Sequence, residues 1–338
     1  MNYKHGGDIE SFALSIGCDM DEVIDLSSNI NFVKPDINID LNTITLNSYP
    51  KYEKLYSSIA NHFEVDSSSI ELYNGGSSAI FALMNYFFNT NCYIYSPAYI
   101  EYKKSALSCN KNVELINRFV ELKKDILPNS LVVFVNPSTP DGTLYDMEEL
   151  LLFWQSKNAT ILIDESFLEF SMADSCTKYI NKYEKLYILK SMTKFHSCAG
   201  VRIGCIISNK ANIKLLKQNE PLWKISQLDS LYMQSILKDE RFRKISLAVN
   251  ANSKAYLEQT IKEFSDFFDL VSPSNANFVL VRLKTMKANE FQEKLKPYKI
   301  MVRDCSNFDF LDDEYIRIAV KSQKDMEKFK EAVKNIVS

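Results

Sequence analysis

The sequence contains little glycine, with 8 residues among 338, about a third of the roughly 7% that is usual in folded proteins. This scarcity excludes collagen-like and glycine-rich low-complexity chains, and it makes the position of each glycine informative. Hydrophobic residues (46%) and charged residues (25%) occur at ordinary frequencies for a globular protein. A chain of this length can bury a large core and divide into two lobes.

The chain also lacks the cysteine and histidine patterns of disulfide frameworks and zinc motifs. Its seven cysteines are scattered without a Cys-x-x-Cys pair, and its three histidines stand far apart in the sequence. We therefore expect free thiols in a reducing compartment and no metal site.

No charge of one sign dominates, because 40 Lys and Arg oppose 43 Asp and Glu for a net charge of −3. Nucleic-acid-binding proteins present a basic face, which this balance does not indicate. The longest apolar run, Ala79–Phe88, is far shorter than the ~20 residues that cross a bilayer. The opening MNYKHGGDIES has no apolar core of a signal peptide. We expect a cytoplasmic protein that binds neither nucleic acid nor membrane.

Short apolar runs alternate with helical patterns in the middle of the chain. The runs are Cys92–Ser96, Leu131–Val135, Ile161–Ile163, Leu186–Leu189 and Arg202–Ile207. A helix is predicted between two of them at Asp146–Ser156, where apolar residues recur at helical spacing. Continuous apolar strands that alternate with helices are typical of a parallel sheet covered on both faces.

The pattern changes beyond Pro221, where two long helices are predicted at Gln227–Lys238 and Glu240–Phe264. Strands and helices of a smaller α+β lobe follow at Phe278–Leu283, Ala288–Leu295, Ile300–Arg303, Tyr315–Val320 and Asp325–Val337. Residues 1–50 are rich in turn-forming residues and predict an irregular segment. We expect an N-terminal arm (1–48) packed on the small domain, a large domain (49–235) with a mostly parallel sheet, and a small C-terminal α+β domain (236–338).

Polar side chains follow three of the predicted strands. Asn136 follows LVVFV, Asp164 follows ILI, and Ser191, Thr193 and Lys194 lie at the end of YILK and just after it. Each residue alone is an ordinary turn or surface residue. Because ligands of open parallel sheets bind beyond the carboxyl ends of the strands, their common placement predicts one site with a carboxylate, an amide, hydroxyls and an amine.

Two segments have the composition of anion-binding sites. SMTKFHSCAGVRIG contains the hydroxyls of Ser191 and Thr193 and the guanidinium of Arg202, one of only seven arginines, and a guanidinium matches the geometry of a phosphate. In NGGSSAIFALM, Gly76 and Ser77 stand at the start of a predicted helix. Free backbone N–H groups and the helix dipole favour a phosphate there.

SMTKFHSCAGVRIG resembles the cofactor-lysine motif of the class I/II aminotransferase superfamily, which comprises fold type I enzymes that use pyridoxal 5′-phosphate (PLP). The resemblance implies that Lys194 bonds to the cofactor and that Asp164 pairs with its pyridine nitrogen. It also implies that Asn136, in NPSTPDG, contacts the 3-oxygen and that Tyr99, in SPAYIEY, stacks on the ring. The phosphate would be held by Gly76, Ser77, Ser191, Thr193 and Arg202.

Tyr49, in SYPKY, corresponds to a tyrosine that in this superfamily reaches the phosphate of the neighbouring subunit. The resemblance thus implies a homodimer with shared active sites. The sequence departs from the superfamily pattern where NPSTPDG replaces NPNNPTG, so that Ser138, Thr139 and Asp141 differ. This departure concerns the identity of the substrate more than the binding of the cofactor.

Two branches of the superfamily fit, the threonine-phosphate decarboxylases of cobalamin synthesis and the histidinol-phosphate aminotransferases. KHGGDI, LSSNIN and VRDCSNF followed by YIRIAV look most like the decarboxylases. This implies that Arg303 and Arg317 bind the carboxylate and phosphate of the substrate, with His5 and Asn29 close to it.

We expect a PLP-dependent lyase that decarboxylates threonine phosphate or serine phosphate to a phosphorylated amino alcohol. The alternative is an aminotransferase of histidinol phosphate or a similar amino-alcohol phosphate. A third possibility, a PLP-binding regulatory domain without turnover, is disfavoured by the two arginines.

Overall fold

Two β-sheets, one of seven strands and one of five, organise the chain in this computed structural model, which describes residues 6–40, 42 and 44–337. Helix α1 (Ile9–Ile16) and strand β1 (Ile24–Leu26) lie in the segment that the sequence predicted to be irregular. That prediction was wrong for these two stretches. Helix α1 has a capping aspartate, Asp8, which accepts a hydrogen bond from Ser11 N–H, and it ends at Gly17 in the left-handed conformation.

The large sheet has the strand order β2-β8-β7-β6-β5-β3-β4. Its strands are β2 (Ile70–Tyr73), β3 (Asn91–Ser96), β4 (Asn112–Asn117), β5 (Leu131–Val135), β6 (Thr160–Asp164), β7 (Leu186–Ser191) and β8 (Gly204–Ile207). In the described sheet β8 runs in the opposite direction to the other six strands, which are parallel to one another. The predicted α/β fold with a mostly parallel sheet is confirmed.

Helices cover both faces of the large sheet. They are α2 (Glu53–His62), α3 (Gly75–Tyr86), α4 (Ile100–Ser108), α5 (Met147–Ser156), α6 (Lys210–Gln218) and α7 (Gln227–Ile236). Apolar residues of α2, α5 and α7 form one core with the sheet, and those of α3, α4 and α6 form the other. Because both faces are covered, β5 and β6 are buried along their whole length, which explains their continuous apolar sequences.

The small sheet has the order β1-β11-β12-β10-β9, in which β1 pairs parallel with β11 and the other pairs are antiparallel. Its remaining elements are α8 (Glu240–Glu263), β9 (Phe268–Leu270), β10 (Phe278–Leu283), α9 (Ala288–Leu295), β11 (Ile300–Asp304), β12 (Tyr315–Ala319) and α10 (Gln323–Val337). Helices α8, α9 and α10 pack on one face. None of the helices in the described ranges is long and apolar enough to cross a bilayer.

Candidate active site

A cavity of about 310 Å³ lies beyond the carboxyl ends of β6 and β7, with residues of β11 and β12 on its other side. Its walls therefore come from both sheets. Eleven residues singled out from the sequence line it: Asn29, Gly76, Ser77, Tyr99, Asp164, Ser191, Thr193, Lys194, Arg202, Arg303 and Arg317. The polar residues that follow the strands in the sequence thus line one cavity, at the edge where open parallel sheets bind ligands.

Lys194 lies three residues beyond the end of β7, in a loop whose backbone is tied down by Asn31, whose N–H donates to the Lys194 carbonyl at 3.0 Å. Burial, together with the positive charges of Arg317 and Arg202, lowers the pKa of Lys194 to about 8, although Asp164 acts in the opposite direction. This lowered pKa makes the neutral amine easier to reach near neutral pH than it is for an exposed lysine. The neutral amine is the form that acts as a nucleophile or a base.

Asp164 ends β6 and is buried. Its carboxylate accepts hydrogen bonds from the Tyr102 hydroxyl at 2.7 Å and from Ser166 N–H at 2.8 Å, and the Ser166 hydroxyl also donates to it. Burial raises the pKa of Asp164, while the bonds from Ser166 and Tyr102 oppose this rise. A protonated ring nitrogen beside the carboxylate would favour its ionised form, and the carboxylate would in turn keep that nitrogen protonated.

Tyr102 is a residue of this site that the sequence reasoning missed. It lies in the first turn of α4, three residues after Tyr99, which is the residue that precedes the helix. Its side chain is completely buried, and burial raises the pKa of Tyr102 well above its ordinary value, so the hydroxyl stays protonated and donates to Asp164. The Tyr-x-x-Tyr spacing in SPAYIEY was the available signal.

The start of α3, with Gly76 and Ser77, forms one side of a polar cradle in the cavity. The hydroxyls of Ser191 and Thr193 lie 3.0 Å apart, and the guanidinium of Arg202 lies close to the helix start. Free N–H groups of a helix N-terminus, two hydroxyls and a guanidinium are together the donor set that binds a phosphate.

Glycine allows the close packing that builds this cradle. A Cβ atom at Gly204 would lie 2.8 Å from Gly76 N, so the start of β8 approaches the start of α3 at backbone distance. At Gly75, which has a φ of +83°, a Cβ atom would lie 2.6 Å from Nη2 of Arg202. Glycine at these two positions therefore lets β8 and the Arg202 guanidinium lie close to the start of α3, where a phosphate would be held.

Arg303 and Arg317 stand directly opposite each other on β11 and β12, and both are buried at the cavity. Arg317 donates to Ser27 O at 3.0 Å and to Thr139 Oγ1 at 3.3 Å, and Arg303 donates to Asn307 Oδ1 at 2.6 Å. Burial lowers the pKa of Arg317 to about 10. Like charges opposite each other in a sheet repel, so the arrangement is suited to an anionic ligand.

Two buried polar atoms beside the cavity have no hydrogen-bond partner among the described residues. They are Oδ1 of Asn29 and Nε of Arg317. A buried polar atom left unsatisfied costs roughly 1–3 kcal/mol. A ligand with both donor and acceptor groups would remove this cost, which fits a site that binds a polar, charged molecule.

Two predicted site residues, Asn136 and Tyr49, are not among the described residues that line the cavity, and a third lies outside the described residues. Asn136 is buried at the end of β5, but its amide exchanges hydrogen bonds with the backbone of Tyr145 at 2.9 and 3.1 Å, and it is not among the described lining residues. Tyr49 is 71% exposed and stacks on Trp223 with ring centroids 4.0 Å apart. His5 lies outside the described residues.

A buried ion pair lies in the segment where the sequence departs from the superfamily pattern. Asp141 of NPSTPDG pairs with Arg118, and both side chains are almost fully buried. Arg118 also donates to Pro97 O at 2.7 Å and to Thr139 O at 3.3 Å. Arg118 therefore connects two loops, the loop after β3 that contains Tyr99 and the loop after β5 that contains Asp141.

Comparison with known proteins places this site in a family. Residues 21–336 match the family described as aminotransferase class I and II. The chain is 25% identical over 356 residues to the histidinol-phosphate aminotransferase of Methanocaldococcus jannaschii, covering 99% of this chain and 95% of that protein. It is 23% identical over 360 residues to the threonine-phosphate decarboxylase of Salmonella typhimurium, covering 100% and 97%.

The fold is also that of a solved structure, the histidinol-phosphate aminotransferase of Clostridium acetobutylicum. The two share a TM-score of 0.83 and 29% identity, over 92% of this chain and 98% of that one. Relatives with two different activities thus resemble the chain to a similar degree. Because the family match spans nearly the whole chain, and because the lysine, the carboxylate and the phosphate cradle suit its cofactor, the chain belongs to the class I and II aminotransferase family of PLP-dependent enzymes.

Proposed function

We propose that the protein is a PLP-dependent carboxy-lyase that removes CO2 from threonine O-phosphate or serine O-phosphate and releases a phosphorylated amino alcohol. The observation that carries the proposal is the pair Arg303 and Arg317, which line the same cavity as Lys194 from opposite positions on neighbouring strands. A phosphorylated amino acid presents two anionic groups at once. Each group matches one guanidinium fork.

Bound PLP supplies an electron sink for the electron pair left on the substrate when a bond to Cα breaks. The residues of the chain decide which bond that is, since the arginines hold the two anionic ends and so fix the orientation of Cα. Asp164 keeps the ring nitrogen protonated. Lys194, whose pKa is lowered, would deliver to Cα the proton that takes the place of the departing CO2.

The second candidate is an aminotransferase of histidinol phosphate or a similar amino-alcohol phosphate. Its support is the likeness to histidinol-phosphate aminotransferases over almost the full chain. Histidinol phosphate carries a phosphate but no carboxylate, so its half-reaction uses one guanidinium. The second guanidinium would then serve the carboxylate of the amino-group acceptor.

The holoenzyme tests both candidates in parallel reactions. One reaction contains threonine phosphate or serine phosphate, and release of CO2 is measured. The other contains histidinol phosphate with 2-oxoglutarate, and formation of glutamate is measured. CO2 release supports the lyase, whereas glutamate formation without CO2 release rejects it. The Lys194→Ala variant should lose the visible absorbance of covalently attached PLP.

Arginine variants sharpen the distinction. Arg303→Gln and Arg317→Gln should each lower kcat/KM for threonine phosphate by about 100-fold or more, ~3 kcal/mol, because each leaves one buried anionic group unpaired. Arg282→Gln is the matched control, since Arg282 lies in the same sheet but is exposed and pairs with Glu314. If only one of the two buried arginines affects turnover, the assignment of two anionic substrate groups is wrong.

A further inference from the structure

Two of the three histidines lie on either side of one glutamate, and none of these three residues is among those that line the cavity. His62 ends α2, Glu169 lies in the short helical turn Leu168–Phe170 after β6, and His196 follows Lys194 by two residues. His62 Nε2 is 2.6 Å from Oε1 of Glu169, and His196 Nε2 is 3.3 Å from Oε2. One ligand atom from each residue lies within 4.8 Å of the others.

His196 is the unusual member of this cluster. It is 2% exposed, and neither of its ring nitrogens forms a hydrogen bond with any described residue. Its contact with Glu169 is close enough for an ion pair but lacks the alignment of a hydrogen bond. Glu169 is thus the charged neighbour of this buried imidazole, at a distance that leaves room for adjustment. A bound ion between the imidazole nitrogen and the carboxylate fits such an arrangement.

We propose that His62, Glu169 and His196 bind a divalent transition-metal ion of the Zn²⁺ type. Two imidazole nitrogens and one carboxylate oxygen are a ligand set that such ions prefer, with a fourth position left for water. Neighbouring ligands in a tetrahedral zinc site are about 3.3 Å apart, because Zn–N bonds are about 2.0–2.1 Å. Side-chain shifts of about an ångström therefore close the site.

The surroundings of the cluster suit a metal site. The side chains of His62 and Glu169 are each 14% exposed, which gives an ion a path from solvent. The rings of Phe63 and Phe195 pack edge-on against the imidazoles of His62 and His196, at centroid distances of 4.8 and 5.4 Å. An apolar wall of this kind limits water at the ion and strengthens its bonds to the protein ligands.

The bound ion would connect three separate parts of the large domain: the end of α2, the turn after β6 and the loop that carries Lys194. Its role is therefore to hold the cofactor lysine loop in place without touching the cofactor. The sequence predicted no metal site because its histidines are far apart in the chain, and ligand spacing is informative only for ligands on one local segment. Here the fold brings distant ligands together.

Adventitious metal is first removed from the holoenzyme with a chelator. Zn²⁺ binding to the holoenzyme is then measured by isothermal titration calorimetry. We expect saturation at one ion per chain. His62→Gln and Glu169→Gln should each weaken binding more than about 100-fold, because even outer partners of a metal ligand are worth about 10–100-fold. His196→Phe should abolish Zn²⁺ binding. The phenylalanine ring can pack among the aromatic neighbours of His196 but offers no nitrogen ligand. Zinc X-ray absorption should show nitrogen and oxygen ligands without sulfur.

Cys198→Ser serves as the matched control, since this buried thiol lies close enough to Glu169 for the carboxylate to raise its pKa. The control should bind Zn²⁺ as the wild type does. Absence of saturable binding, equal affinity in the ligand variants, or sulfur in the zinc shell would each overturn the proposal. The visible PLP absorbance of each variant is recorded alongside, so that loss of metal is distinguished from loss of cofactor. If His196→Phe fails to fold, the two glutamine variants decide.

Discussion

The carboxylate of Asp164 is poised by opposing effects on its pKa. Burial raises the pKa of Asp164, and hydrogen bonds from Ser166 and Tyr102 lower it. For a role beside a protonated ring nitrogen, the carboxylate must be ionised. We therefore propose that the Tyr102 hydroxyl acts on the cofactor through Asp164, as a positioning residue.

Replacement of Tyr102 by Phe should narrow the pH range of activity. The variant removes a hydrogen bond that favours the ionised carboxylate, so the pKa of Asp164 rises. Activity is lost as the pH falls through that pKa, and the acidic limb of the kcat profile should therefore move to higher pH. At neutral pH we expect about a tenfold loss in kcat, in line with about 1.5 kcal/mol for a hydrogen bond to a charged group.

Tyr95→Phe is the control, because Tyr95 is an equally buried tyrosine whose hydroxyl bonds with Trp154 and Leu122. That variant should lose stability while keeping the wild-type pH profile. An unchanged acidic limb in Tyr102→Phe would show that the hydroxyl has only a structural role.

The types of residue at the site were predictable from the sequence, whereas their contacts were not. Asp164 and Lys194 stand at or just beyond strand ends, which a linear pattern reveals. The partner of Asp164 depends on the hydrogen bond from Tyr102 on α4 to the end of β6, which is a tertiary contact. The same limit applies to Asp141, whose neighbour Arg118 is 23 positions away in the chain.

At the scale of single elements, glycine sets the backbone conformation and the close contacts at the start of α3. Gly75 has a φ of +83°, and a Cβ atom there would lie 2.6 Å from Nη2 of Arg202. Gly17 has a similar φ of +69°, but a Cβ atom there would meet nothing within 4 Å. An alanine would strain the backbone at either position. Only at Gly75 would its methyl group meet the Arg202 guanidinium of the phosphate cradle.

Gly75→Ala should weaken PLP binding about tenfold or more, because the new methyl group displaces the Arg202 guanidinium from its place in the cradle. Gly17→Ala should leave PLP affinity unchanged. Both variants should lose roughly 1 kcal/mol of stability from the left-handed backbone. Titration of the apo-enzyme with PLP, followed by protein fluorescence, gives the affinities. Equal PLP affinity in the two variants would contradict the proposed cradle.

The elements that the sequence revealed are those with a strong pattern. Strands β5 and β10 have the predicted bounds, because β5 is a continuous apolar run and β10 is an apolar run interrupted by the exposed Arg282. Strand β4 was missed because its sequence, NVELIN, mixes exposed and half-buried residues at the edge of the sheet. Strand β1 was missed because its three residues depend on pairing with β11, far along the chain.

At the scale of the whole molecule, the N-terminal segment joins the small sheet to the cofactor lysine loop. Strand β1 pairs with β11, and five residues later Asn31 donates through its side chain to Phe195 O and Ser246 Oγ, both at 2.8 Å. Asn31 N–H donates to Lys194 O. These bonds link β11, the strand that carries Arg303, to the loop that carries Lys194. The domain limits at 48 and 235 stay a prediction.

Tyr49 has no place in the cavity of its own chain, as its exposure and its stacking on Trp223 show. We propose that it completes the phosphate site of a second copy in a symmetric homodimer, as the family resemblance implies. In such a dimer each site takes Lys194 from one protomer and Tyr49 from its partner. Tyr49→Phe keeps the stacking ring and removes the hydroxyl.

This arrangement predicts complementation between two impaired variants. Lys194→Ala should be inactive, and Tyr49→Phe should bind PLP weakly. When the two chains are unfolded and refolded together, half of the dimers are hybrids, and each hybrid holds one site with both native residues. Activity at low PLP should therefore recover to about a quarter of the wild-type value. If the mixture shows only the sum of the separately refolded variants, the active sites are not shared between protomers.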